Sequence, residues 1–559
     1  MSSRTKARSV ATALSVIALG ATGLAAAPAH AGLLDPLDPL VGPVLSPVVD
    51  PLEPLLNPLL DPLEPVVGPV LSPVVGQLEP LVGPVLSPVV GQLEPVVGPV
   101  LSPVVGPVLS PVVGVVEDVV QGFLPTGWLY DDTETSMGEV RAAIGANALL
   151  RRGYTGRGIG VALVDTGVVP VKGLDSGNVT NGADLSFESQ DPAARYLDTF
   201  GHGTHMAGII AGRTPGRRLD LDKFQGVAPD AQLTSLKVAA GDGAVDVSQV
   251  VAAVDWVVAH RNDDPANPTR VLNLSYGTDG VQDYRADPLT HAVENAWRAG
   301  IVVVVSGGNA GFGAPKLNNP AYDPFVLAVG ASDTRGTRRV SDDVVPDFSS
   351  RGDASRRVDL VAPGRSIVSL RDPGSYLDEA HPGARSGNSY FKGSGTSQAA
   401  AVVSGAVALL LDQRPGLTPD QVKALLVGTA TRMPAADAAG RGAGAINLAA
   451  AASTRPRKAR QSFPASTGTG SLESARGSSH VADDGVELAG ESDIFGAWNA
   501  KKWAKASRDG KAWKGGSWNG NDWTSGCWCA ETWAGAAWEG RSWAGRSWAG
   551  RSWAGRSWA

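Results

Sequence analysis

Ile159-Gly160-Val161-Ala162-Leu163-Val164-Asp165-Thr166-Gly167 is an apolar run that ends on a carboxylate and a glycine. It is too short for a helix and lacks the polar/apolar alternation of a half-exposed strand. That combination predicts a parallel strand covered on both faces. Working outward, Val247, Val250, Val251, Val254, Val257 and Val258 fall at helical spacing between Asp246 and His260. A polar loop, RNDDPANPT, leads into strand-like Val271–Leu274. PLTHAVENAWRA then reads as a helix closed by Gly300, followed by the apolar strand Ile301 to Val305. Strands alternating with helices predict an α/β fold, three layers deep, with a mostly parallel central sheet between helices. Sites in such sheets lie beyond the C-terminal strand ends. Asp165 and the SGGN turn from Ser306 to Asn309 both fall at such ends.

Two further glycine-rich stretches carry reactive groups: GHGTHMAG around His202 and GSGTSQAAA around Ser397. A serine hydroxyl is a poor nucleophile at neutral pH. It needs an imidazole to take its proton and a carboxylate to hold that imidazole in one tautomer. Asp165, His202 and Ser397 supply the three groups. Glycines beside His202 allow close approach to the ring, and those before Ser397 allow a tight turn. The run AAAVVSGAVALLL after Ser397 predicts a helix, whose first N–H groups suit a developing oxyanion. An ordinary serine N-cap is the alternative for Ser397, as a turn residue is for Asn309. His205 reads as a packed neighbour; its HxxH spacing lacks the intervening Glu of helical zinc pairs. A GxSxG elbow, which an esterase would favour, is missing from GSGTSQA.

The rest of the chain divides by composition. Residues 1–31 read as a signal peptide: basic Arg4, Lys6 and Arg8, an apolar run, then Ala29-His30-Ala31. The expected location is therefore secreted and extracellular. Residues 32–122 form a Pro/Val/Gly-rich spacer in which Gly68, Gly83 and Gly98 recur at equal steps. Its frequent proline excludes regular helix and central strand. A plain spacer and a specific binding role both remain open for it. The globular region spans 123–452, and 453–495, rich in Ser, Gly and Ala, reads as a linker. The tail 496–559 holds twelve of the fifteen tryptophans, nearly all five residues apart, with Cys527 and Cys529, the only cysteines. A period of five matches neither a helix face nor a single strand face. Cell-wall polymer contact, an ordered array of pentads and low-complexity disorder are the alternatives for this tail. On the first, deleting 496–559 is expected to release the protein from cells without abolishing turnover. A net charge of −7 without a concentrated basic patch argues against nucleic acid, and no long uninterrupted apolar run predicts a transmembrane segment.

The three motifs closely resemble those of the subtilase (subtilisin-like) family of serine endopeptidases, of the secreted bacterial type. The likeness extends to GVAPDA at Gly226, NLSYG at Asn273, VVVVSGGNAG at Val302, FSSRG at Phe348 and DLVAPG at Asp359. The resemblance implies a subtilisin-like fold, polypeptide substrates and an acyl-enzyme without an organic cofactor. It implies that Asp165 orients the imidazole, His202 is the base and Ser397 the nucleophile. Asn309 and the Ser397 N–H would form the oxyanion hole. Ser275, Tyr276 and Gly277 would pair with extended substrate as an edge strand, and Ser306, Gly307 and Gly308 would line the specificity pocket. Structural calcium is common in the family; acidic loops such as Asp342-Asp343 suggest no particular ligands. In two respects the chain departs from the family. GTSMAxP becomes GTSQAAA, with Gln398 for Met and Ala401 for Pro, and residues 32–122 do not resemble the folded propeptide.

Overall fold

The computed structural model describes residues 134–523, except 215, 217, 218, 281, 312–315, 338, 484 and 485, together with the strand Arg541–Ala544. The signal peptide, the Pro/Val/Gly-rich spacer, Cys527, Cys529 and most of the SWAGR repeats lie outside the described residues.

Gly160–Asp165, from the apolar run that ends on the carboxylate, forms β1 and is buried at every position. It sits inside a seven-stranded sheet with β2 (Val179–Asp184), β3 (Gln232–Lys237), β4 (Thr269–Leu274), β5 (Val302–Ser306), β6 (Leu327–Ser332) and β7 (Leu360–Pro363), ordered β2-β3-β1-β4-β5-β6-β7. Every pairing in it is parallel. The chain leaves β1 toward one edge and later returns to its other side at β4. The order therefore reverses at β1, and a crevice opens beyond the C-terminal ends of the strands there. Asp165 is the last residue of β1.

Helices cover both faces. Helix α1 (His202–Ala211) packs with α4 (Thr396–Gln413), and α2 (Val247–His260) packs with α3 (Pro288–Arg298). α4 lies across β4 to β7 and is buried from Thr396 to Leu411, as its almost wholly apolar sequence requires. α2 starts on a capping box made by Asp246 and Gln249. α3 starts with Asp287 as cap and Pro288 in its first turn, and ends just before Gly300 at φ +89°. The fold is the three-layer α/β/α arrangement the sequence predicts.

The C-terminal stretch differs from what its composition predicts. Instead of a linker followed by a detached tail, residues 466–523 lie on α2 and α3. Helix α5 (Leu472–Arg476) buries Leu472, Ala475 and Arg476, and helix α6 (Ala500–Arg508) buries Trp503. The Trp503 and Trp518 indole N–H groups both donate to Asp255 Oδ2 of α2, at 2.8 and 2.9 Å. Trp513 donates to the Ala252 carbonyl at 2.7 Å. Trp513 pairs antiparallel with Trp518, and Ser517-Trp518 with Asn521-Asp522. Around Trp513 and Trp518 the period of five is thus a two-residue strand plus a turn. It needs no core of its own there, because the rings of Trp498, Trp503, Trp513, Trp518 and Trp523 enter the core of the α/β unit. Composition missed this because the buried apolar residues here are few and scattered, and Trp503, Trp513 and Trp518 find their acceptors on α2, far back in the chain. Deleting 496–559 would strip these rings from α2.

Candidate active site

Asp165 reaches the crevice because β1 ends there, and its Oδ1 accepts from the Thr166 N–H at 2.9 Å and from His202 Nδ1 at 2.7 Å. Both side chains are 1% exposed. A carboxylate can only accept, so this bond fixes the Nδ1–H tautomer and leaves Nε2 as the proton acceptor. His202 is the first residue of α1, and Gly203 follows it for a steric reason. A Cβ at Gly203 would collide with the Gly167 carbonyl and lie 3.1 Å from Asp165 Oδ1.

The start of α1 has no cap of its own, since its N-cap is Gly201 at φ +104°. Asp198 takes over that task. Its Oδ1 accepts from the Gly201 N–H at 2.7 Å and its Oδ2 from the Thr204 N–H at 2.7 Å. The same Oδ1 accepts from Thr166 Oγ1 at 2.6 Å, and Thr166 Oγ1 accepts in turn from the Gly203 N–H at 2.8 Å. Asp198 and Thr166 therefore lock the turn after Asp165 to the helix start that carries His202. Burial raises the Asp198 carboxyl above its ordinary range. Burial, then the proximity of Asp198, pushes Asp372 up to about 8. The sequence patterns did not single out Asp198; an Asp three residues before a glycine-started helix was the available signal.

Ser397 is the second residue of α4, whose N-cap is Gly395, so its hydroxyl is not the helix cap. The Thr396 N–H and Thr396 Oγ1 both donate to Asn309 Oδ1 at 2.9 Å. This holds the amide by its oxygen and directs its NH2 away from Thr396. The Ser397 N–H belongs to the first turn of α4, whose donors have no intrahelical partner. Thr396 Oγ1 also accepts from the Gly308 N–H at 3.2 Å, which ties the β5 turn to the start of α4. Thr396 stands inside the GTSQAAA motif, which by itself assigns it no role. No side chain fits at Gly308, where φ is +109° and a Cβ would lie 2.5 Å from Asn318 Oδ1. Gly307 donates to the Val329 carbonyl at 2.8 Å, and Ser306 is the buried end of β5.

Ser275 Oγ donates to the Ser397 carbonyl at 3.4 Å and accepts from Asn273 Nδ2 at 3.0 Å. Asn273 Oδ1 in turn accepts from Ser404 Oγ of α4 at 2.9 Å. Ser275 to Gly277 follow β4 without being a strand themselves; the next residue, Thr278, bridges Asn319. The Tyr276 ring is buried, and burial, then the nearby Asp246 carboxylate, raises its phenol well above the ordinary range. Ser275 and Gly277 are buried as well.

His205 lies on α1 with Nε2 3.1 Å from the Phe391 carbonyl. Burial, then the neighbouring His202, lowers it to about 3, so it stays neutral. Among the described residues no three His, Cys, Asp or Glu side chains converge as a metal ion would need. No helix among the described residues is long and apolar enough to cross a membrane. Neither end of the buried Gln398 amide has a hydrogen-bond partner among the described residues.

The chain is similar to known proteins. A family model described as Subtilase family matches residues 156–469. Serine protease AprX of Bacillus subtilis is 38% identical over 309 residues, which cover 54% of this chain and 68% of AprX. Subtilisin DY of Bacillus licheniformis is 33% identical over 313 residues, 55% of this chain and 96% of the relative. Minor extracellular protease Epr of Bacillus subtilis is 31% identical over 273 residues, 49% of this chain and 35% of Epr.

Proposed function

The chain belongs to the subtilase family and is a subtilisin-like serine endopeptidase, and on that premise we propose that Asp165, His202 and Ser397 carry its chemistry. The observation that carries the assignment is the 2.7 Å bond between the buried Asp165 and His202 side chains. It leaves only Nε2 of His202 to act as base. Nε2 takes the Ser397 proton as Oγ attacks the scissile carbonyl, and returns it to the leaving amine. The acyl-enzyme formed is then opened by water through the same proton path. The Asn309 amide and the Ser397 N–H donate to the oxyanion, and Thr396 holds Asn309 ready for that task. Ser275 to Gly277 pair with the peptide backbone, and the Gly307-Gly308 turn walls the pocket for the side chain before the scissile bond.

The basic, apolar and small-residue pattern of residues 1–31 supports export of this endopeptidase, as does its similarity to a relative named extracellular. The late SWAGR repeats, rich in tryptophan and arginine, support contact with cell-wall polymer. Labelling with a fluorophosphonate probe tests the catalytic assignment. Full-length protein should label at Ser397 and Ser397→Ala should not. Labelling that survives in the variant would refute it.

A further inference from the structure

The catalytic chemistry makes no use of one contact: the C-terminal stretch grips the loop that follows Gly277. Thr278 Oγ1 donates to the Ala475 carbonyl. Asp279 accepts from the Ser478 N–H through Oδ1 and from Ser478 Oγ through Oδ2, each at 2.6 Å. Gly280 lies so close that a Cβ there would be 2.7 Å from the Ser474 carbonyl oxygen and 2.9 Å from that of Ala475. The stretch from α5 to Ser478 is itself anchored. Arg476 is fully buried, pairs with Asp246 at 2.6 Å and donates to the Gly490 carbonyl at 2.7 Å. Asp246 is also the cap of α2, so the anchor is the rigid helix layer.

We infer that residues 474–478 brace the substrate-pairing backbone and set the enzyme's preference for extended peptides. This rests on the reading of Ser275–Gly277 as the substrate edge. That short segment is held at its start by the bond from Ser275 to the Ser397 carbonyl. At its end Thr278 exchanges backbone bonds with Asn319 at 3.0 and 2.9 Å and carries the bond to Ala475. A peptide adding as a strand needs the edge donors and acceptors already in line. If they are loose, binding must first order them, at a cost of about 1–2 kcal/mol per residue, or roughly 5- to 30-fold in affinity. Thr278 and Asp279 are therefore positioning residues, acting through the backbone they hold.

The test compares two substrates sharing one residue before the scissile bond: a tetrapeptide anilide and a single-residue ester. In the full chain carrying Thr278→Val and Asp279→Ala, KM for the tetrapeptide should rise roughly 5- to 30-fold. kcat/KM for the ester and fluorophosphonate labelling should stay within about twofold of the parent. The milder Asp279→Asn, which keeps one acceptor, should give a smaller rise and serves if the double variant does not fold. Folded, labelled variants with the parent's KM would overturn the brace while leaving the edge reading intact. A parent enzyme that gains nothing from the longer peptide would overturn the edge reading, and the brace with it.

Discussion

Asp165 and Asp255 are the same chemical group in nearly the same physical setting. Both are buried, and both accept from ring N–H donors at 2.7–2.9 Å. Asp165 ends β1 and faces one imidazole, a base whose other nitrogen is available for proton transfer. Asp255 sits on α2 and faces the indoles of Trp503 and Trp518 and the hydroxyl of Ser507, none of which exchanges a proton near neutral pH. One bond prepares a reaction and the other fastens a chain segment. What a buried carboxylate does is decided by the acidity of its donor.

Breaking each in turn should separate activity from stability. Asp165→Asn should lower kcat by about 10⁴-fold, the usual loss when the carboxylate of a triad becomes an amide. Its melting temperature should stay near that of the parent, read by circular dichroism. Ending the chain at Asp493 should do the opposite kind of damage. It uncovers the face of α2 that Trp503, Trp513 and Trp518 cover, and little soluble, labelled protein is expected.

Asp255→Ala is the finer version. Two buried indole N–H groups and a hydroxyl lose their acceptor, each at about 1–3 kcal/mol. Unfolding in denaturant should show a loss of about 3–9 kcal/mol, while the ester kcat of the folded fraction is unchanged. A turnover loss comparable to that of Asp165→Asn would erase the contrast.

The comparison sharpens with pH. Burial raises Asp255 to about 6, partly offset by its bonds from Ser507, Trp518 and Trp503. Between the ordinary carboxylate range and pH 6 the folded protein therefore binds more protons at this site than the unfolded chain. Its contribution is full in acid and is lost as pH rises through about 6. About two pKa units correspond to about 3 kcal/mol. Other buried carboxyls such as Asp287 and Glu294 are raised too, so from pH 4 to pH 7 the parent should lose about 3 kcal/mol more stability than Asp255→Asn. An identical pH dependence in the two proteins would exclude the Asp255 carboxyl as its source.

The smallest effect concerns a buried polar group that serves neither purpose. Gln398, beside Ser397, has no hydrogen-bond partner among the described residues at either end of its amide. Gln398→Met should gain about 1–2 kcal/mol in stability, with kcat changed less than about threefold. A loss of stability would mean that the amide is satisfied in solution.

The reactive half of this contrast could be read from the sequence because chemistry restricts residue choice there. A strand ending on Asp, a glycine-flanked His and a Ser at a helix start together suit a catalytic triad and little else. The apolar runs of β1 and β5 and the valine stripe of α2 likewise announce a covered parallel sheet. The roles of Asp198 and Thr396 escaped notice because these residues act through backbone bonds that have no periodicity. The C-terminal segment escaped for a different reason. Its burial depends on partners far back in the chain, so Arg476 and Trp503 look like ordinary tail residues until Asp246 and Asp255 are placed opposite them.

The Arg476–Asp246 pair spans 230 residues of chain. A ribosome adding roughly 5–20 residues per second needs on the order of 10–50 s to make that stretch. Late in that interval Ser397 is already synthesised, yet the partner that completes the α2 cap and the brace of the loop after β4 is not. This late-made segment thus sets the earliest moment at which a finished enzyme can exist. A message truncated before it yields a chain with every catalytic residue and an unfinished fold.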